Sequence, residues 1–303
     1  MQLEVKDIRK SFGDKEVLHG VSFTVQSGRA MGFLGRNGAG KSTTIRCLMD
    51  VFKQDSGAFY LDGKELRIGD HHVGYLPEER GMYQKHNVLE QLEYFAMLRG
   101  ATRAQAAATA NHWVDYFELG EFKKKKLETL SKGNQQKIQI AQSFLNDPEI
   151  LILDEPFSGL DPVNAQVFKD AIADFVRQGK LVIFSSHQMS YVEEVCDDVT
   201  LIHQGNILLT GDLEAIKRQL GENKLLLKVD GQSDAQVESA LLGRFPALKT
   251  QPHEHGLILD TGNQLGQKDI LDFAAQQGWT ILRYGIYTPS LQDIFIEKVG
   301  DQA

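Results

Sequence analysis

The chain has 303 residues, a length that suits two domains or one large domain with an appendage. Its 42% hydrophobic and 24% charged residues exclude collagen-like, low-complexity and wholly disordered chains. The formal net charge of −8 is opposite in sign to what binding to a phosphate backbone favours, so we expect no nucleic-acid partner.

The first fifty residues predict two strands, followed by a third strand, a glycine loop and a helix. Residues Leu3–Ile8 and Val21–Val25 alternate apolar and polar side chains with a period of two, which is typical of strands. The apolar run Ala30–Leu34 ends at the glycine cluster Gly35–Gly40, and apolar residues then recur at helical spacing.

The middle of the chain has the pattern of a parallel α/β protein. Helical periodicity extends from Asn87, a predicted helix cap together with Glu90, to about Leu145. Two short segments that are wholly apolar follow, Ile150–Leu153 and Leu181–Phe184, with a proline-initiated helix between them. Strands of such uniform hydrophobicity are typical of a parallel sheet covered on both faces.

After about residue 221 the pattern changes to short strands and helices in the order β-α-β-β-α-β. This order is the ferredoxin-like signature, and about 80 residues suit a small separate domain. We therefore predict a larger domain over residues 1–220 and a small α+β domain over residues 221–303. The predicted elements of the small domain are strands at 225–229, 248–252, 257–260 and 280–287, and helices at 235–242, at 265–277 and after Pro289.

The glycine cluster reads GRNGAGKS and matches the phosphate-binding pattern G-x-x-x-x-G-K-[ST]. In such a loop the backbone N–H groups converge on phosphates, the lysine reaches the β- and γ-oxygens, and the serine hydroxyl ligates Mg²⁺. The flanking strand and helix are the context that this chemistry requires. The predicted nucleotide-binding residues of the loop are Gly35, Arg36, Asn37, Gly38, Ala39, Gly40, Lys41, Ser42 and Thr43.

The apolar strand at residues 150–153 ends in two carboxylates, Asp154 and Glu155. A carboxylate at the tip of a buried strand needs a partner, because burying an isolated charge is costly, and a metal ion is a natural one. We expect Asp154 to hold Mg²⁺ and Glu155 to orient or deprotonate an attacking water. Acids at strand ends also serve as helix caps, an interpretation that the upstream loop disfavours.

Three further segments carry a family resemblance. LSKGNQQ begins at Leu130, SGLD occupies residues 158–161, and His187 ends another apolar strand. Together with the glycine loop and the two acids, they resemble the signature loop, D-loop and switch histidine of ATP-binding-cassette (ABC) ATPases. The resemblance covers residues 1–220 and implies an α/β P-loop NTPase core with a helical subdomain at about 85–145.

The resemblance also implies roles for individual residues. Glu155 and His187 would be the catalytic residues. The signature loop lies at a helix N-terminus, where anions are favoured, and would bind the γ-phosphate of ATP held by a second nucleotide-binding subunit, identical or different. Lys132 and Asn134 replace the usual Gly and Gln but leave the main anion-binding groups in place. The predicted signature residues are Ser131, Lys132, Gly133 and Asn134.

Three more positions match the family by place. Phe12 stands where the family has an aromatic residue that stacks on adenine. Glu78, or its neighbour Glu79, stands where the family usually has the Q-loop glutamine that couples the site to the transport partner; a carboxylate can also ligate Mg²⁺. Asp161 in the D-loop would signal between two sites. The predicted cofactors are thus ATP and Mg²⁺, the latter on Ser42, Asp154 and Glu78.

The segments GYLPEERG and LSKGNQQK and the C-terminal segment are similar to those of bacterial sodium- and drug-efflux ATPases, which work with a separate ABC-2-type permease. We therefore expect a subunit that hydrolyses ATP and drives an integral-membrane permease through ATP-dependent dimerisation. No stretch approaches the roughly 18 apolar residues of a membrane span, and Cys47 and Cys196 lack disulfide or zinc spacing. The chain would be cytoplasmic, held at the inner face of the cell membrane by the permease.

Two alternatives are weaker. A cassette ATPase acting on DNA would carry a long coiled coil between its two nucleotide motifs, whereas only about 110 residues separate Lys41 from Asp154. Ribosome-acting relatives usually carry two cassettes, and this chain has one P-loop. A degraded cassette that binds ATP without hydrolysing it is disfavoured because Glu155 and His187 are both present.

Overall fold

The computed structural model describes residues 1–79, 81–262 and 265–300. They form two compact units, one of residues Met1–Leu213 and one that begins at Glu214. The domain boundary predicted from the sequence, between residues 220 and 221, lies at the end of the helix Leu213–Leu220. Nearly all of this helix belongs to the second unit. Residue 80 of GYLPEERG and residues 263, 264 and 301–303 of the small domain lie outside the described residues.

The first unit contains both strands and α-helices, several of them in runs of the same type. Its strands are β1 (Gln2–Phe12), β2 (Lys15–Gln26), β3 (Ala30–Leu34), β4 (Ser56–Leu61), β5 (Lys64–Glu65), β6 (Val73–Leu76), β7 (Ile150–Asp154), β8 (Leu181–Ser186), β9 (Asp198–His203) and β10 (Asn206–Asp212). Its α-helices are α1 (Lys41–Leu48), α2 (Val88–Leu98), α3 (Arg103–Tyr116), α4 (Lys132–Ser143), α5 (Pro162–Arg177) and α6 (Met189–Val195).

Two sheets build this unit. The six-stranded sheet has the order β10-β9-β3-β8-β7-β6, and all of its pairs are parallel except β9 with β10. The antiparallel sheet has the order β2-β1-β4-β5. Apolar side chains of both sheets and of α1 form one buried core, which includes Leu3, Phe33, Ile45 and Ile152. The wholly buried strands β3, β7 and β8 have the uniform hydrophobicity expected of the centre of a parallel sheet.

The register of the parallel sheet determines where the chemistry lies. Leu34 at the end of β3 pairs with Ser186 of β8, and Asp154 at the end of β7 pairs with Ser185 of β8. The carboxyl ends of the three strands therefore meet at one edge of the sheet, and the glycine loop that follows β3 begins there. Crevices at the carboxyl ends of parallel strands are the usual ligand sites of α/β proteins.

Helices α2, α3 and α4 lie between β6 and β7 and form the helical subdomain. Asn87 is the N-cap residue of α2, as expected, but its side chain makes no capping bond and donates to Glu90 Oε1 at 2.9 Å. Thr102 caps α3 with a reciprocal capping box. None of the helices in the described part of the chain is long and apolar enough to cross a membrane.

The second unit has the predicted β-α-β-β-α-β order, preceded by one helix and followed by another. Its elements are α7 (Leu213–Leu220), β11 (Lys224–Val229), α8 (Asp234–Arg244), β12 (Lys249–His253), β13 (Gly256–Asp260), α9 (Gln267–Gln276), β14 (Ile281–Ile286) and α10 (Leu291–Gly300). The strands form an antiparallel sheet in the order β12-β13-β11-β14. This is the split arrangement of a ferredoxin-like fold, with α8 and α9 covering a core around Leu227 and Leu259.

Candidate nucleotide site

The glycine loop joins β3 to the N-terminus of α1, and at its last glycine, Gly40, there is no room for a side chain. Gly40, the N-cap residue of α1, has φ +113°, and a Cβ there would lie 2.7 Å from Leu18 Cδ2. Gly38 also has a positive φ of 80°, which favours glycine. The Gly205 N–H donates to Ala39 O at 2.9 Å and braces the loop from outside. The free N–H groups of α1 are therefore held at the sheet edge, where an anion is stabilised.

Lys41 is the first residue of α1, and its side chain is only 5% exposed. Its Nζ donates to Gly35 O at 2.7 Å and lies 3.3 Å from Glu155 Oε1. The ammonium thus stands between the glycine loop and the acids at the end of β7. Phosphate oxygens placed in this loop would meet a desolvated positive charge, which interacts more strongly than an exposed one.

The two acids are held by a residue that sequence reasoning missed, Ser185 of β8. The Ser185 hydroxyl donates to Asp154 Oδ1 and accepts from the Glu155 N–H at 3.2 Å. Glu155 has φ +52°, a conformation that non-glycine residues adopt only when the surrounding structure holds them. The polar Ser185-Ser186 pair that ends an otherwise apolar strand was the available sequence signal.

Two buried oxygen atoms fit a divalent cation. Asp154 Oδ2 and Glu155 Oε1 accept no hydrogen bond from the described residues, although Lys41 lies near the second. Leaving buried carboxylate oxygens unsatisfied is costly. Mg²⁺ is typically held by one or two carboxylates together with phosphates and water. Oxygen donors from Asp154 and from the Ser42 hydroxyl at the start of α1 match that preference.

His187 lies beside Glu155, as the resemblance implied. Its Nδ1 lies 2.9 Å from Glu155 Oε2, and its backbone N–H donates to the same oxygen at 3.4 Å. Because an ionised carboxylate only accepts hydrogen bonds, Nδ1 donates in this contact and Nε2 stays available for a second partner. The Glu155 carboxylate therefore contacts a cation from one side and an imidazole from the other.

Tyr75 of β6 links this centre to the segment that carries Glu78. Burial raises the pKa of the Tyr75 hydroxyl, the negative charge of Asp154 adds to the rise, the Arg46 guanidinium opposes it, and Glu78 adds a smaller rise. Glu78 and Glu79 are themselves exposed. The sequence analysis did not single out Tyr75, since an aromatic residue within a short strand is most often part of the core.

Phe12 ends β1 in the hairpin that packs beside the glycine loop through Leu18 of β2. Its ring is 46% exposed, unlike most aromatic rings of this unit. The Phe52 ring contacts it edge-on at 5.3 Å between centroids, and Lys10 Nζ lies 5.4 Å from its centre. Such a fixed and partly exposed ring can stack on a nucleobase.

The signature loop stands at the N-terminus of α4. Ser131 and Lys132 are exposed, and Ser131 Oγ accepts from the Asn134 N–H at 3.2 Å, which makes Ser131 the N-cap. A Cβ on Gly133 would lie 3.7 Å from Gly159 O, so the signature loop adjoins the D-loop. Hydrogen bonds and ion pairs among the described residues do not connect the signature loop to the glycine loop of the same chain.

A second connection between α4 and the D-loop was not predicted. Lys137 Nζ donates to Asn164 Oδ1 at 2.9 Å, and Asn164 Nδ2 donates to Asp161 Oδ2 at 2.6 Å. The Asn164 backbone N–H also binds Asp161 and holds the pKa of this carboxyl below its usual range. Burial lowers the pKa of the Lys137 ammonium. Lys137 lies one turn after Gly133, so helical spacing alone could have placed it on the face of the signature loop.

The site combines a glycine loop at a helix N-terminus with a buried lysine, two acids at the end of a strand, and a histidine that contacts one of these acids. Together these features define a P-loop ATPase. Comparison with known proteins gives the family. Residues 18–158 match the model of the ABC transporter family, and residues 211–299 match that of the C-terminal domain of DrrA1-3-like ATP-binding proteins. The chain is 37% identical over 300 residues to the uncharacterized ABC transporter ATP-binding protein YhaQ of Bacillus subtilis, with 98% of each chain covered.

Two further comparisons agree. The linearmycin resistance ATP-binding protein LnrL of Bacillus subtilis is 30% identical over 306 residues, with 98% of each chain covered. A solved ATP-binding subunit of an ABC transporter has a TM-score of 0.67 and 30% identity, over 80% of this chain and 99% of that one. The chain therefore belongs to the ATP-binding proteins of ABC transporters, and its reaction is ATP hydrolysis. A dimeric cassette bound to ADP and Pi, 20% identical over 70% of this chain and 98% of that one, shares the fold with a TM-score of 0.64.

Proposed function

We propose that this chain is the ATPase subunit of an exporter and that it works as one of two nucleotide-binding subunits on a separate membrane permease. The observation that carries the proposal is the separation of two half-sites. The glycine loop, the acids and His187 form one surface. The exposed signature loop adjoins the D-loop, and among the described residues no hydrogen bond or ion pair joins it to its own glycine loop. Two anion-binding surfaces on one chain suit a phosphate shared between two chains.

The first half-site would bind ATP. Backbone N–H groups of residues 35–43 would surround the phosphates, Lys41 would leave Gly35 O for the β- and γ-oxygens, and Phe12 would stack on the adenine. Ser42, Asp154 and Glu78 would hold Mg²⁺, which neutralises developing phosphate charge. The orphaned Asp154 Oδ2 supports this assignment.

Hydrolysis would use Glu155 and His187. Binding of Lys41 to phosphate would release Glu155 Oε1, which now lies 3.3 Å from Lys41 Nζ, to accept a proton from the attacking water. His187 would keep Glu155 oriented through its Nδ1–H, and with both ring nitrogens protonated its Nε2–H would donate to a γ-phosphate oxygen. Ser185 would hold both acids in place, because its hydroxyl binds one side chain and the backbone of the other.

The second half-site would complete the nucleotide pocket of a second subunit. Ser131 and Gly133 at the start of α4 would bind its γ-phosphate, with Lys132 adding a positive charge and Asn134 closing the turn. Asp161 is tied to α4 through Asn164 and Lys137, so a shift of the signature loop would reach the D-loop directly. We assign communication between the two sites to this chain of hydrogen bonds.

Transport itself would require a permease. One relative is named for linearmycin resistance, and resistance through a transporter favours outward movement. The permease would dock on the helical subdomain, at about residues 85–145, near Glu78 and Tyr83, and would hold this chain at the inner face of the membrane. Residues 1–220 would be the nucleotide-binding domain, and residues 221–303 an accessory domain that regulates coupling.

Purification from native membranes tests the proposal. A tagged chain should bring down a subunit with several apolar spans, and ATP with the Glu155→Gln substitution should increase the amount of dimer. The matched control is Glu149→Gln, which changes an acid just before the same strand, where it pairs with His71 instead of facing the glycine loop. A chain that hydrolyses ATP but stays monomeric and recovers no membrane subunit would refute the proposal.

A further inference from the structure

A recess on the first unit contains one half-buried charge that the site described above does not use. The recess has a volume of about 350 Å³ and lies between β6, α2 and α4. Its walls are mainly apolar and aromatic, with Tyr75, Met82 and Phe95 among them. Arg99, which follows α2, is the charged residue among the described residues that line it.

Arg99 also separates this recess from a second one of about 380 Å³, where the lining residues include Asp70, His71 and His72. Its Nη1 donates to Gln142 O of α4 at 3.0 Å. Within the described residues, no carboxylate forms an ion pair with it. Burial lowers the pKa of the Arg99 guanidinium. A guanidinium has five N–H donors in a planar fork, so most of the Arg99 donors have no protein partner in the part of the chain that the structure describes.

Exposed apolar side chains continue the recess outwards. Tyr83 stacks on Phe95 with ring centroids 6.0 Å apart, and Tyr94 lies 5.9 Å from the same ring. Leu98, beside Arg99, lines the second recess and is 64% exposed. An apolar groove with aromatic rims is the usual receptor for an amphipathic helix, and here it surrounds a single half-buried cation.

We propose that Arg99 selects the permease by binding a carboxylate side chain on the cytoplasmic helix that lies in this groove. The inference rests on the proposed function and adds the chemistry of recognition to it. The apolar rim would bury the apolar face of the helix, and the carboxylate would form the two parallel hydrogen bonds that a guanidinium offers. A helix without that acid would leave Arg99 buried and unpaired, which disfavours wrong partners.

The test compares Arg99→Gln with Arg99→Lys in the full chain. Glutamine keeps an N–H donor for Gln142 O but removes the charge, whereas lysine keeps the charge. Arg103→Gln is the matched control, because Arg103 is exposed at the start of α3 in the same subdomain. The measurements are the melting temperature, the ATPase rate of the chain without membranes, and the affinity for detergent-solubilised permease recovered with the wild type.

We expect Arg99→Gln to keep the membrane-free ATPase rate and to weaken permease binding about 30-fold or more, the usual cost of truncating a buried charge pair. Arg99→Lys should lose less, and Arg103→Gln should match the wild type. Arg99→Glu should be rescued by Lys in place of one acid on the permease's cytoplasmic helices. This charge exchange also tests the proposal if Arg99→Gln folds poorly, because it depends on the Arg99→Glu variant instead.

Wild-type affinity in Arg99→Gln, or the absence of any rescuing exchange, would overturn the inference while leaving the proposed function in place. Equal loss of binding and of membrane-free ATPase in Arg99→Gln and Arg99→Lys would show a structural role and overturn it as well. A wild-type chain that recovers no permease would refute the proposed function and the inference together.

Discussion

Replacing Glu155 by Gln keeps the shape of the side chain and removes its charge and basicity. The carboxylate is 9% exposed, with Oε1 3.3 Å from Lys41 Nζ and Oε2 2.9 Å from His187 Nδ1. A positioned general base contributes about 10²–10⁴ to a rate, which corresponds to about 3–5 kcal/mol of the activation barrier. We therefore expect ATP turnover to fall by two to four orders of magnitude.

The same substitution should change stability and binding in opposite directions. Lys41 is 5% exposed and would lose the one carboxylate among the described residues with which it forms an ion pair, and breaking a buried pair costs up to about 3–5 kcal/mol. The amide oxygen of Gln can still accept a hydrogen bond, which reduces the loss. ATP would bind at least as tightly as to the wild type, because its phosphates no longer compete with Glu155 for Lys41. At a concentration of 100 times its Kd, ATP should raise the free energy of unfolding of the variant by about 2.7 kcal/mol.

Phosphate release measures the turnover, thermal melting with and without ATP measures the stability, and light scattering detects the ATP-bound dimer. Glu149→Gln is the control because it changes an exposed acid beside β7 without touching Lys41. A Glu155→Gln variant with turnover within threefold of the wild type would refute the assignment of the base. A variant that melts like the wild type and binds ATP more weakly would refute the reasoning about Lys41.

Four further outcomes are expected. Lys41→Ala should lose ATP retention in equilibrium binding, and an unchanged Kd would contradict the phosphate role of Lys41. Phe12→Ala should weaken ATP and GTP alike, by about 5- to 100-fold in a fluorescence titration, because stacking discriminates poorly among bases; unequal losses would contradict stacking. Ser131→Ala should keep ATP binding and lose turnover and dimer formation, whereas normal turnover would exclude the signature role. Removal of residues 221–303 should leave the basal ATPase rate unchanged. Loss of folding of the first unit would instead show that the removed segment is structural.

The local pattern of the chain was sufficient for much of the fold. Uniformly apolar segments at β3, β7 and β8 indicated the parallel sheet, since strands buried on both faces cannot alternate. The six short segments after residue 221 indicated a ferredoxin-like order, and the observed sheet order has that topology. The predicted elements did not include β4 or β10, whose mixed burial gives a weaker pattern than a fully buried strand, or β9, in which the buried Thr200 interrupts the apolar run.

The sequence alone predicted which residues face phosphate, because the glycine spacing and the lysine lie in one short segment, the acids end one apolar strand, and the chemistry of each motif is local. It also indicated that a second phosphate-binding loop exists. Only the tertiary structure decided that Lys41 pairs with Glu155, that Ser185 holds both acids, and that the half-buried Arg99 has no carboxylate partner among the described residues. These contacts join strands or helices that are far apart in the chain. They depend on sheet register and helix packing, which no local sequence pattern encodes.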